Sequence, residues 1–148
     1  MNPVPIYLGA LVCLIGSLSI ALWPWRQERR VHQIAIFVSA AFNVISWIQV
    51  ILWTSGGSSG VRDTVFRWGG YRFEFTLMMD LPASVFLLAT ATLGGLVVKF
   101  SQYYMHREPG QRRYFSALLM FKGGMAIVVL AGDIITLFTG FIVIESGR

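Results

Sequence analysis

Residues 118–133 read LLMFKGGMAIVVLAGD, and how this stretch is housed decides the fold. It is apolar or glycine throughout, except for Lys122 near one end and Asp133 at the other. It sits inside a longer apolar run, Tyr114 to Ile144, of 31 residues. As one helix rising about 1.5 Å per residue, that run would measure roughly 46 Å. A bilayer's hydrocarbon core is only about 30 Å thick. The run is therefore either strongly tilted or broken, and Gly132-Asp133 is the natural break. A break there leaves one helix from about Tyr114 to Ala131. The remainder from Ile134, about 22 Å long at the same rise, is too short to span comfortably. The chain is then expected to stop partway through a fifth helix, as a fragment or as a small subunit completed by a partner.

The rest of the chain has the same character. Of its 148 residues 55% are hydrophobic and 13% charged, and the mean hydropathy is +0.65. Soluble domains carry about 25% charged residues. The deficit falls in long apolar runs, which excludes a soluble globule and predicts a single transmembrane helical domain over residues 1–148. The fold class expected is all-α integral membrane, with four to five transmembrane helices. Val4 to Trp23 is longer than a signal peptide's apolar core and follows no basic segment, so it reads as a retained helix. A net charge of +5 and a pI near 9.9 fit basic loops that set topology and meet anionic lipid, not nucleic acid. The lone Cys13 reads as a small apolar filler.

Helix one is expected from about Pro5 to Trp23, with Trp23 and Trp25 as interfacial anchors. The basic loop RQERR precedes helix two, expected from about Gln33 to Trp53. After SGGSSG, the segment VRDTVFRWGGYRFEF reads as two short strands around Gly69-Gly70, a β-hairpin between helices two and three on the membrane surface. Helix three is expected from about Thr76 to Tyr104. Its small residues Thr90 and Gly94, and Ala91 and Gly95, are spaced by four and predict close helix packing. MHREPGQRR turns at Pro109-Gly110. Loops one and three each pack three arginines into short spans, which places them in the cytoplasm and the amino terminus outside a prokaryotic inner membrane.

Few charges enter the apolar runs, and each is a candidate. A charge at bilayer depth costs about 2.5–3.5 kcal/mol on insertion scales. Lys122, roughly 13 Å beyond Arg113 along a helix, is either an ion-pathway lysine facing the bundle interior or a structural lysine that snorkels or pairs with a partner. An unbroken helix would put Lys122 and Asp133 on one face, about 16 Å apart. Gly123 and Gly124 leave room beside the lysine for a neighbouring helix or water. Asp80 is expected to cap or anchor helix three, Lys99 to snorkel, Asp133 to cap helix five and Glu145 to pair with Arg148. His32 and His106 are read as loop residues with no helical partner for a metal. No nucleotide loop or catalytic triad spacing is present, so neither a metal nor another cofactor is expected.

Three segments resemble one family. FRWGGYRFEFTLMMDLPAS is similar to the outer hairpin and helix-three entry of antiporter-like membrane subunits. KFSQYYMHREPGQRRYFSALLMF resembles their following loop and helix, and GGMAIVVLAGDIITLFTGF their next segment. That family comprises the large proton-pumping subunits of respiratory complex I, the Mrp antiporters and the membrane partner of DAB-type inorganic carbon transporters. The resemblance implies the amino-terminal part of such a subunit, working with other membrane subunits to couple a proton or sodium gradient to redox work or to bicarbonate or CO₂ uptake. The alternative is a non-transporting subunit that scaffolds such a complex. Where pumping members carry a membrane glutamate, this chain has Ile142, and Lys122 falls where the family is usually apolar. One outcome follows from composition alone: the chain should stay with the membrane pellet through alkaline carbonate extraction and leave it only in detergent.

Overall fold

The computed structural model describes residues 8–22, 28–55, 61–68, 73–105 and 110–147. They form α1 (Leu8–Leu22), α2 (Glu28–Ser55), strands β1 (Val61–Trp68) and β2 (Phe73–Met79), α3 (Leu81–Tyr104), α4 (Gln111–Val129) and α5 (Ile134–Ser146). Trp23, Trp25, Gly69, Gly70, His106 and Arg148, which figured in the sequence reading, lie outside the described residues. Arg30–Ser55 and Leu81–Tyr104 are long and apolar enough to cross a bilayer, while α1 and α5 are shorter apolar helices. Their outward faces carry Leu22, Phe37, Phe86 and Ile134, all exposed, as expected of surfaces that meet lipid.

Two helix starts differ from expectation for local reasons. α2 begins at Glu28, not near Gln33, so the end of the basic run winds into its first turns and His32 is a helix residue rather than a loop residue. α3 begins at Leu81, not near Thr76, because residues 73–79 are strand β2. Asp80 makes the switch. Its backbone is extended, its carboxylate accepts from the Ala83 amide at 2.9 Å, and Pro82 sits in the first turn.

The 31-residue apolar run is indeed broken. α4 ends at Val129 and α5 starts at Ile134. The end of α4 exposes carbonyls without helical partners. Strand β2 meets them: the Met78 amide donates to Leu130 O at 2.7 Å, and Leu77 bridges to Ala131. Buried backbone groups need hydrogen-bond partners, and β2 supplies them. β1 pairs antiparallel with β2, Val61 opposite Met79 and Trp68 opposite Phe73, with a bulge between Thr64 and Phe66. The break also removes the single face on which Lys122 and Asp133 were to lie together. Asp133 holds the N-cap position of α5, but its side chain makes no capping bond.

α4 is the central helix, touching α1, α2, α3 and α5. Against α1, the Ser17 hydroxyl donates to Ser116 O at 2.8 Å, and Arg112 Nε donates to Ile20 O at 2.7 Å. That second bond satisfies a carbonyl at the carboxyl end of α1. Near the same end His32 Nε2 lies 2.6 Å from Gln111 Oε1, joining α2 to α4. Arg30, Arg112 and Arg113 therefore gather at one end of the bundle, and the strand pair sits at the other. Against α5, α4 makes backbone contact at paired glycines. A Cβ on Gly124 would lie 2.6 Å from Ile144 Cγ1 and 3.1 Å from Gly140 O. A Cβ on Gly140 would lie 3.0 Å from the Val128 amide nitrogen. Gly124→Leu is expected to pry α5 from α4 at a cost of at least about 1–3 kcal/mol, read as a fall in unfolding midpoint in detergent.

Candidate functional site

Lys122 is 2% exposed. It does not snorkel; its head lies inside the bundle. The two glycines after it bring in the flanking helices. Gly123 is packed against Cys13 and Leu14 of α1, and Gly124 against α5. The lysine is thereby turned toward α2 and α3. Its stem runs over Gly94 of α3, where an added Cβ would come within 2.7 Å of its Cε and 3.0 Å of its Cδ and Cγ. Its ammonium donates to Ser39 Oγ of α2 at 2.7 Å and stands 4.9 Å from the centre of the Phe42 ring.

These contacts bear on the cost of burial. A hydrogen bond made by a charged group contributes about 1.5–3 kcal/mol. A desolvated cation over an aromatic face adds about 2. Together they are comparable with the insertion cost of about 2.5–3.5 kcal/mol. Among the described residues no carboxylate pairs with this ammonium. The site is thus a cation held by a hydroxyl and a ring. An ammonium so held can give up and take back a proton without breaking an ion pair.

The surroundings of Ser39 were not picked out from the sequence. Asn43, one turn on, donates to Ser39 O at 3.3 Å. Its amide fits against Gly95, where a Cβ would lie 2.5 Å from Asn43 Nδ2. Gly94 and Gly95 therefore act as two seats, one for the lysine stem and one for the asparagine. Ser39, Asn43, Gly95 and Lys99 also line a groove of about 430 Å³ between α2 and α3. The available signal was a polar pair, Ser39 and Asn43, spaced by four in an apolar helix.

The other candidates do not converge on Lys122. Asp80 caps α3 at the strand end, Asp133 is exposed at the start of α5, and Glu145 is exposed near its end. Lys99 is exposed on α3, toward the arginine end. Ala91 is fully buried in the core beside Phe42 and Cys13, and Thr90 is half-buried. Ile142, to which the sequence resemblance assigned the family glutamate's place, is 65% exposed on α5 and faces away from the core. Among the described residues no cluster of metal-ligating side chains occurs.

Residues 66–115 match the family described as NADH-ubiquinone oxidoreductase (complex I), chain 5 N-terminus. The NADH-quinone oxidoreductase subunit L of Mycobacterium tuberculosis is 30% identical over 90% of this chain and 21% of its own length. A probable K(+)/H(+) antiporter subunit of Rhizobium meliloti is 33% identical over 86% of this chain and 12% of its own. The probable inorganic carbon transporter subunit DabB1 of Halothiobacillus neapolitanus is 26% identical over 88% and 22%. This chain spans about a fifth or less of these relatives' length. A chain of the membrane-bound sulfane sulfur reductase, an archaeal respiratory membrane complex, shares the fold: TM-score 0.81 over 96% of this chain and 28% of that one, at 15% identity.

The contact of Lys122 with Gly94 has a measurable signature. Gly94→Ala should destabilise the protein by about 1–3 kcal/mol, and much of that cost should vanish when Lys122 is shortened to alanine. Unfolding of the two single variants and the double variant in detergent reads the coupling.

Proposed function

Because the chain belongs to the family of antiporter-like membrane subunits, we propose that it is a membrane subunit of a multi-subunit, ion-coupled complex. It helps couple a cation gradient to redox work or to inorganic carbon uptake. The observation that carries this reading is Lys122, an ionisable group deep among four helices, facing the bundle interior rather than lipid. Intramembrane ionisable residues that face inward mark ion and proton pathways. Lys122 is the charge through which this segment takes part in translocation. Other membrane subunits, or further helices, cover its exposed apolar faces.

In this reading four to five helices cross the inner membrane, and the strand pair rests on the outer surface. The arginine-rich end is cytoplasmic and the amino terminus is outside. Arg30, Arg112 and Arg113 crowd into helix turns at one end of the bundle, while Arg62 and Arg67 are spread along β1 at the other, and the denser cluster supports that orientation.

A scaffolding role is favoured by one feature, the apolar Ile142 where pumping relatives carry an acid. Lys122→Met separates the readings because it keeps most of the stem's volume. With the complex assembled, ion-coupled activity in membrane vesicles should fall about tenfold or more, the loss expected when a buried relay charge is removed. Unchanged activity, or loss of assembly instead of activity, supports the scaffold.

A further inference from the structure

The groove between α2 and α3 has two unlike parts. Most of its wall is apolar, from Ile36 and Ala40 on α2 to Leu96 and Val98 on α3. The polar groups along that wall are engaged inward: Ser39 Oγ accepts from Lys122, and Asn43 Nδ2 donates to Ser39 O at 3.3 Å. Thr92 lies seven residues from Lys99, about 10.5 Å toward the strand end, where a threonine can hydrogen-bond its own helix. The end nearer the arginines is different. There Lys99 and Gln102, three residues apart, share a face of α3. Among the described residues neither has a hydrogen-bond or ion-pair partner. Lys99 stands five residues before Tyr104, the last residue of α3, so its Cα is about 7.5 Å below the helix end. A lysine stem covers that depth and brings the ammonium to headgroup level. Tyr103 and Tyr104, both exposed, mark the same level as interfacial aromatics.

We propose that this groove is a binding site for an anionic phospholipid of the leaflet at the arginine-rich end. One acyl chain lies along the apolar wall, and the phosphate accepts from Lys99 Nζ and Gln102 Nε2. The inference needs the bundle to span a bilayer; it does not need Lys122 to move ions. The groove's volume, about 430 Å³, falls within the range of about 300–1,000 Å³ for small-ligand sites.

The donors select the headgroup. Lys99 offers its ammonium protons and Gln102 its amide protons, and among the described residues the lining has no carboxylate. A zwitterionic head would bring a cation of its own against Lys99, with nothing there to receive it. A head of net negative charge brings none, and basic pockets between membrane helices recognise such heads. A partner's helix seated in the groove would have to carry a carboxylate to the level of Lys99, at a cost, whereas a lipid phosphate is at that level already. The opposite side of α3 provides a comparison. There a groove of about 360 Å³, lined by Leu93, Val97, Phe100 and Tyr114, has no charged group among its described residues. It accepts an acyl chain without choosing the head.

Photo-crosslinking of the assembled complex in phosphatidylcholine vesicles tests this. The probe is phosphatidylglycerol with a diazirine in its acyl chain, and adducts are mapped by peptide mass spectrometry. Adducts should form on Ile36 or Ala40. A phosphatidylcholine probe with the same chain should mark these residues about fivefold less, the preference that one lysine near an anionic headgroup provides. Lys99→Met should lower the phosphatidylglycerol adducts by the same factor, Lys99→Arg should restore them, and inorganic phosphate in the buffer should not compete. Adducts at Leu93 or Phe100, in the uncharged groove, should be equal for the two probes and unmoved by Lys99→Met, which also shows that the variant is folded. Equal marking of Ile36 and Ala40 by both probes, or marking indifferent to Lys99→Met, overturns the site. Competition by inorganic phosphate overturns the lipid as its occupant. Adducts at Leu93 and Phe100 with none at Ile36 or Ala40 mean that protein covers the groove, and overturn the proposal as well.

Discussion

An ammonium group in a bilayer must be sheltered by protein, and in this chain that demand sets how four helices meet. Lys122 reaches from α4 across Gly94 of α3 to Ser39 and Phe42 of α2, while Gly123 lets α1 close in behind it. Shelter comes from three kinds of residue at once. A missing side chain makes space for the stem, a hydroxyl takes one proton, and a ring face takes part of the charge. None suffices alone against the cost of a charge at that depth. The convergence of α2, α3 and α4 near one level of the bundle is the geometric form of that requirement.

A second demand is set by the backbone. An apolar run too long for one span has to stop being helical somewhere, and the peptide groups released there need partners. They find them in β2, through Met78 and Leu77. The strand pair therefore belongs to the same solution as the helix break, although the whole of α3 and α4 lies between them in the chain.

Much of this was legible from residue type and spacing. The apolar runs announced the helices, and Gly132-Asp133 announced the break because glycine and an N-cap residue together end and restart a helix. Asp80 was legible as a cap or anchor of helix three, though of a helix expected to begin four residues before it. The start of α3 was not legible, because residues 76–79 read as the opening of the apolar helix and only pairing with β1 and the α4–α5 linker continues the strand through them. The first turns of α2 were hidden for the opposite reason: charged residues there resemble a loop until Gln111 is seen against His32. Lys122 stood out as a buried charge, but its partners did not. Ser39 lies 83 residues away, and nothing in a linear pattern connects the two.

The glycine contact between α4 and α5 has a mechanical consequence. With Gly124 against Gly140, the two backbones come close, and only Ile144 and Val128 fit over the bare glycines, so the contact has little room to give. α5 turns Phe138, Phe141 and Ile142 outward, free of the bundle. Anything packed against those side chains therefore stands one helix away from the buried lysine, across the tightest helix contact that the glycines permit.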